Sequence, residues 1–480
     1  MSPKHSDNHP ATSDSNSEQP ERILFVTGRL AEAALRNVLG DIQKSAGCNA
    51  EVAVLGISVA ALMHTEWVSR KLELSYSFDR IILPGWCQGD LTPLSHQFGC
   101  PVERGPKDLY DLPQFFGRGS RQPVDLTNYD IEILAEINHA PRLSDSELMR
   151  IAESYRESGA DLIDIGCIPS ESWGGVHDTV RRLRAEGYRV SIDSFDRREV
   201  ESAVDAGAEC VLSCNATNRD WAAKLAAELV VIPDDPRQPE TMQTTIDCLT
   251  AEGARFRLDP ILEPIGFGFA ASLGRYIACR KRWPDISMMM GIGNLTELTE
   301  VDSAGVNMLL AGFCQELNIG SVLTTEVISW CQSAVREFDL ARRQTWHSIK
   351  NQSLPKHISS DLVMLRDPKT VTRGEETLQA MASQLTDPNF RIFAERGEIH
   401  IMNRDGYWRG ADPYAVFDQL AAAVGLTNAP HAFYLGYEFA KAVTALTLGK
   451  QYTQDEPLRW GFLSVPEISA VQRRKRERKS

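Results

Sequence analysis

The sequence predicts an α/β protein: a central (β/α)8 TIM barrel with a small N-terminal parallel α/β domain and a small C-terminal α/β domain. Three observations carry that reading. The chain has 480 residues, too many for one compact core, so two or three domains are expected. From Ile131 onward, eight apolar runs recur, each followed by a stretch of helical spacing. The eight units occupy about 210 residues, the size of such a barrel. An open doubly wound sheet is the alternative. The similar unit lengths, with no detectable switch of direction, favour the barrel.

Residues 1–20 are polar and read as a disordered tail. The N-terminal domain, 21–116, opens on the strand-like run "ERILFVTGRL" (21–30) and continues with "AEVAVLGIS" (50–58) and "FDRIILPGW" (78–86). Helical stretches lie between them, as in a βαβαβ unit. Residues 117–128, "GRGSRQPVDLTN", read as a linker. The barrel, 129–345, has strand candidates "IEILAEI" (131–137), "ADLIDIG" (160–166), "YRVSIDS" (188–194), "AECVLSC" (208–214), "ELVVIP" (228–233), "RFRLDP" (255–260), "ISMMMG" (286–291) and "GSVLTT" (320–325). "SDSE" (144–147) reads as a capping box, and "DRRE" (196–199) follows the same logic with Asp at the cap. Gly159 and Gly207 stand where helices should stop. A polar connector, 346–384, leads to a C-terminal domain, 385–466. There "FRIFAERGEIHIMNRDGYWRG" reads as two short strands with "DG" as the turn signal. Two helices follow. Residues 467–480 form a basic tail, with a solvated terminus as its default reading.

The net charge of −14, spread along the chain, argues against a nucleic-acid binder. Ten cysteines stand singly with no Cys-x-x-Cys, which signals neither a zinc ribbon nor a redox dithiol and fits thiols in a reducing cytoplasm. No signal peptide and no membrane span are expected.

In a (β/α)8 barrel the ligand lies at the carboxyl ends of the strands. The polar residues there are Asn138, Asp164, Asp193, Asn215, Asp259 and Asn294, with Thr324, Thr325 and Glu326 on the last strand. Any one of them can be a turn or cap residue. Asp164 is the weakest candidate, placed to point into the helix layer. Together they suit a flat, neutral heterocycle. A carboxylate accepts two parallel N–H bonds from an amidine-like edge, and an Asn matches a mixed edge. In "RLDPILEPIGFG" (257–268), Asp259 would accept that fork, with Pro260 and Pro264 stiffening its loop.

At these residues the sequence resembles a pterin-binding barrel of the dihydropteroate synthase type. The matching segments are "GADLIDIG" (159–166), "VSIDSFDRREVESAVDAGA" (190–208) and "LDPILEPIGFG" (258–268). Three stretches depart from that pattern. "GIGN" (291–294) replaces Ser-Arg-Lys, "TTE" (324–326) replaces Arg-x-His, and "CIPSESWGG" (167–175) replaces the Thr-Arg loop. "CNAT" (214–217) and "GIGN" resemble the methyl-transferring cousins instead. With "PGWCQGDL", "HAFYLGYEF" and "QYTQDEPLRWG", nearly the full chain resembles the dihydropteroate synthase-related proteins of methanogens and methylotrophs, a group associated with tetrahydromethanopterin.

The resemblance implies a transferase joining a hydroxymethyl-dihydropterin pyrophosphate to an aryl amine. Asp259 and Asn215 would grip the ring, with Asp193 opposite and Asn294 also on the pterin. Asn138 would lie near the diphosphate and Mg2+. Arg142 would be a phosphate partner or a plain surface residue. Two other readings stand beside it: a pterin-dependent methyltransferase acting with a corrinoid partner, and a non-catalytic pterin-binding protein. Barrels of this sort often pair, so a homodimer is the assembly to look for.

Overall fold

The computed structural model describes residues 20–46, 48–117, 124–356 and 358–467. The expected tails therefore lie almost wholly outside the described residues, as does half of the 117–128 stretch. The chain separates into two compact units, residues 1–126 with 347–355, and 127–346 with 356–480.

In the first unit, strands β1 (Arg22–Gly28), β2 (Asn49–Leu55), β3 (Arg80–Leu83) and β4 (Val102–Arg104) form one parallel sheet in the order β2-β1-β3-β4. The three runs read as strands are strands. The fourth was missed, because "VER" is too short to show alternation. The helical stretch between β2 and β3 is shorter than its apolar spacing suggests. It runs Thr65–Lys71, with the His64 ring accepting from the Glu66 N–H at its start.

The second unit contains the barrel. Its strands are β5 (Glu132–Ile137), β6 (Leu162–Gly166), β7 (Val190–Asp193), β8 (Cys210–Cys214), β9 (Glu228–Val231), β10 (Phe256–Leu258), β11 (Met289–Gly291) and β12 (Ser321–Thr324). They pair in parallel in the order β10-β9-β8-β7-β6-β5-β12-β11. A parallel bridge between Leu258 and Met288, with the Leu258 N–H donating to Ser287 O at 2.9 Å, brings the two ends together. The sheet is therefore a closed (β/α)8 barrel.

Side chains alternate across it as a pleat requires. Ile133, Ile163, Val190, Val211 and Val322 face the helices. Leu134, Leu162, Cys210, Leu212, Val230 and Met289 fill the interior. At the amino-terminal end an ionic layer plugs the interior. Arg257 donates to Ser321 Oγ at 2.7 Å and to Glu228 Oε2 at 2.5 Å. Arg189 reaches Glu132 at 2.7 Å and Glu209 at 2.9 Å. Arg257 thus interrupts its apolar run because it faces into the barrel.

The Ser144–Glu147 capping box is present in full. The Asp196 cap forms, accepting from Arg198 and Glu199 N–H. Glu199 does not reciprocate, because its carboxylate is spent on the Trp173 N–H at 2.7 Å and the Ser194 hydroxyl. The helix closing the barrel runs Ala334–Lys350, and the polar stretch after it carries a helix, Glu375–Gln384.

The C-terminal domain has three strands, not two: β13 (Arg391–Glu395), β14 (Glu398–Asn403) and β15 (Gly406–Gly410), all antiparallel. The missed turn is Arg396–Gly397, with both residues at positive φ. Arg carries no turn signal, so only the glycine hinted at it. The two helices run Pro413–Val424 and Ala429–Leu448, each closed by a left-handed glycine. Among the described residues, no helix is long and apolar enough to cross a membrane.

The last barrel helix is tied to the first strands by Arg342, which is fully buried. Its guanidinium pairs with Asp339 at 2.7 Å and Asp161 at 2.5 Å and donates to the Gly159 carbonyl at 2.8 Å. We expect Arg342→Met to lower the unfolding free energy by about 3 kcal/mol in urea titrations, because two carboxylates lose their buried partner. Arg343, which also pairs with Asp339, keeps the loss near the low end for a broken buried pair.

Candidate functional site

A cavity of about 370 Å3 opens at the carboxyl ends of the barrel strands. Asn138, Asp193, Asp259 and Asn294 line it, together with Glu136, Glu297 and Thr325. Four of these are acids, and among the described lining residues none is basic.

Asp259 follows β10 and is buried. Its Oδ1 accepts from the Ile261 N–H at 2.8 Å and from the Tyr276 hydroxyl at 2.5 Å. The Gly291 backbone also lies beside this carboxylate. Burial raises its pKa, while Tyr276, the Ile261 N–H, the Gly291 backbone and Arg275 pull it back down. The loop beyond is fixed less by its prolines than by Arg275. That side chain donates to the carbonyls of Pro260 and Ile261 and pairs with Glu263 at 2.9 Å. Ile261 takes a positive φ of 67°, a costly conformation for a β-branched residue, and its side chain enters the lining. Asp259 is therefore both a turn-forming acceptor and a cavity residue. Tyr276 and Arg275 lie on the following helix, Phe269–Arg282, and carry no sequence mark that separates them from ordinary helix residues.

The other expected residues divide. Asn294 sits at the exposed rim, and its Nδ2 donates to Leu262 O at 3.0 Å. Asn138 lines the cavity directly after β5. Asn215 is not among the lining residues. Its Oδ1 accepts from the Thr217 N–H at 2.9 Å and the Thr217 hydroxyl at 2.7 Å. It is a turn residue, the structural role that short polar side chains favour after a strand. Arg142 is exposed and pairs with exposed Glu171 at 3.4 Å, which makes it a surface residue.

Asp164 points inward, not into the helix layer. It is fully buried, and its Oδ1 accepts from Ser191 Oγ at 2.6 Å. Its carboxyl meets those of Glu136 and Asp193, with one oxygen of each within 4.8 Å of the others. At an effective dielectric of ~20, two carboxylates that far apart repel by roughly 3 kcal/mol. Burial, then the charges of Asp193 and Glu297, hold Glu136 up at about 7. Burial lifts Asp193 to about 6. Burial first, and then the charges of Asp193 and Glu136, raise Asp164 well above the carboxylate range. Sequence reasoning missed Glu136. The signal was there: Leu134, Glu136 and Asn138 share one face of a strand by period two, so an acid two positions before the strand-end Asn had to point inward.

Residues 370–455 match the family PterinBD-DUF4346. Residues 21–107 match DUF6513, a family of unknown function. An uncharacterized protein of Methanocaldococcus jannaschii is 26% identical over 520 residues, covering 90% of this chain and 98% of that one. Among solved structures, a Yersinia pestis dihydropteroate synthase with a pterin–sulfa conjugate is 17% identical, with a TM-score of 0.38. It is matched over 47% of this chain and 96% of its own. The Thermus thermophilus dihydropteroate synthase in complex with 6HMPPP is 18% identical, with a TM-score of 0.37 and the same coverage. The barrel of this chain is established by its own strand order, independently of these likenesses.

Two outcomes follow from the geometry. A Cβ at Gly166 would stand 2.5 Å from Glu136 Oε1. Gly166→Ala should therefore cost about 1–3 kcal/mol in thermal or urea unfolding, and Gly166→Ala combined with Glu136→Ala should recover part of it. Glu326, whose carboxylate accepts from the Val335 N–H at 3.0 Å, is pushed up from 4.5 to about 7, chiefly by burial. The folded chain then holds more protons than the unfolded chain between those values, so this group's contribution makes stability fall as pH rises from about 4.5 to 7. Glu326→Gln keeps the acceptor and should be more stable than the parent at pH 8 by on the order of 2 kcal/mol. The two should converge below pH 4.

Proposed function

We propose that the chain binds a pterin in the barrel cavity and acts as a transferase, joining a hydroxymethyl-dihydropterin pyrophosphate to an aryl amine in the making of a tetrahydromethanopterin-type one-carbon carrier. The observation that carries the pterin reading is the cavity lining: four acids, two asparagines and no basic residue among those described. Such a wall suits a neutral ring rich in N–H donors and repels a bare anion. Asp259 is the anchor, held in one orientation by Tyr276 and the Ile261 N–H. Asp193 faces the same space, and Asn294 closes the rim. Asn215 drops out of the ring contacts.

In the transfer, the amine nitrogen attacks the exocyclic methylene carbon. A C–N bond forms as the C–O bond to diphosphate breaks, and the nitrogen gives up one proton. The chain's part is to hold ring and amine in line. The departing diphosphate needs a counter-charge, which Mg2+ would supply. The single neutral amide of Asn138 is a weak hold for such an ion, whereas the carboxyls of Glu136, Asp164 and Asp193 are the donor type a hard cation takes.

The same lining supports a second reading, methyl transfer from a reduced pterin to a corrinoid partner protein, because that reaction brings no diphosphate into an acidic cavity. Product analysis separates the two. Pyrophosphate release with an aryl amine supports the first, and loss of the pterin methyl group supports the second. Pterin affinity with neither product leaves a binding protein.

Fluorescence titration with the pterin pyrophosphate tests the anchor. Asp259→Asn should weaken binding at least tenfold, or about 1.4 kcal/mol, since a charged acceptor is removed. Equal affinity in parent and variant would refute the role of Asp259.

A further inference from the structure

We propose that Glu136, Asp164 and Asp193 form a binding site for one divalent hard cation, Mg2+ by preference, in the wall of the barrel beside the cavity. The three come from successive strands. Glu136 and Asp164 are register partners on β5 and β6, and Asp193 ends β7. Each offers a carboxylate oxygen within 4.8 Å of the other two, a spacing that one ion can span. Among the described residues, no Lys, Arg or His pairs with any of the three. This contrasts with the other end of the same barrel, where Glu132, Glu209 and Glu228 are each matched by an arginine.

Two buried oxygen atoms nearby have no hydrogen-bond partner among the described residues. Asp164 Oδ2 is buried with no hydrogen bond. Thr325 Oγ1 is likewise unbonded, on a residue only 5% exposed that lines the cavity. Thr325 lies one position beyond the Thr324–Ala135 pair, which sets it beside Glu136. Gly166 leaves open the space that Glu136 Oε1 occupies, so the backbone accommodates this carboxylate where a side chain would displace it. Three carboxylates, a hydroxyl and cavity water make an all-oxygen donor set of the kind Mg2+ and Mn2+ accept. The site differs from the Asn138 position that the family resemblance implied. It stands without the pterin reading, because the ion can be tested alone.

The test uses the full chain, stripped with chelator and titrated with Mn2+ while the free-ion electron paramagnetic resonance signal is followed. One Mn2+ per chain should be taken up, displaced by Mg2+, and accompanied by a rise in melting temperature. Glu136→Gln and Asp164→Asn should each weaken uptake at least tenfold, with folding checked by circular dichroism. Thr325→Val, which keeps the shape, should weaken it by a smaller factor. Glu157→Gln, an exposed helix position, should change nothing. If a carboxylate variant fails to fold, the parent titration and Thr325→Val decide. No uptake by the folded parent at millimolar Mn2+ overturns the proposal, and means that protons neutralise the three acids instead. Equal uptake by the parent and by the folded variants overturns it as well.

Discussion

The barrel closes at its thinnest seam, and the candidate site is built on that seam. Between β10 and β11 the ladder is reduced to the Leu258–Met288 bridge. Short strands on both sides leave little backbone pairing to hold the circle shut. Side chains supply the rest. The Asp259 carboxylate lies against the Gly291 backbone across the gap, and Asn294 reaches back to Leu262 O. Tyr276 and Arg275 then hold the Asp259 loop from the helix behind. A ligand bound to Asp259 is thus held by the group that also stitches the barrel. Its orientation is set by closure, which is the preorganisation a binding site requires.

The two ends of the barrel treat charge in opposite ways. At the amino-terminal end, Arg184, Arg189 and Arg257 pair with Glu132, Glu209 and Glu228, and the layer is balanced. At the carboxyl end, Glu136, Asp164 and Asp193 converge with no basic partner among the described residues. The balanced layer needs nothing from outside to be stable. The acidic one does: it must take up protons, a cation or hydrogen-bond donors on a ligand. Uncompensated charge of this kind is unfavourable for folding and belongs to sites rather than scaffolds.

Much of the architecture was legible because alternation and punctuation agreed. All eight barrel strands fell within the apolar runs, and the Ser144 box and left-handed Gly159 marked a helix start and stop. Legibility failed where signals were short or shared. The β4 strand spans three residues, and the β13–β14 turn hides behind an arginine. Within the site, Asp193, Asp259 and Asn138 were reachable because they end or directly follow strands, and Asn294 because it lies three residues past β11. Asn215 ends a strand too, yet folds onto Thr217, because a turn and a ligand ask for the same side chain. Asp164 was misjudged by its distance from the strand end. Pleat register, which places it with Leu162 on the inner face, was the better guide. Tyr276 and Arg275 could not be read at all, since their roles exist only once the helix lies against the loop.

Charge also orders the functional readings. A pterin pyrophosphate would bring several negative charges to a cavity whose described lining holds four acids and no base. Transfer with loss of diphosphate therefore requires a cation near the acids, and without one the substrate's tail is repelled from the wall its ring is meant to touch. Methyl transfer and simple pterin binding carry no such requirement. The dependence runs one way: the transferase reading needs the cation, while a cation at Glu136, Asp164 and Asp193 is compatible with all three. A barrel that bound pterin and no metal would thus remain a pterin protein while losing the chemistry of diphosphate departure.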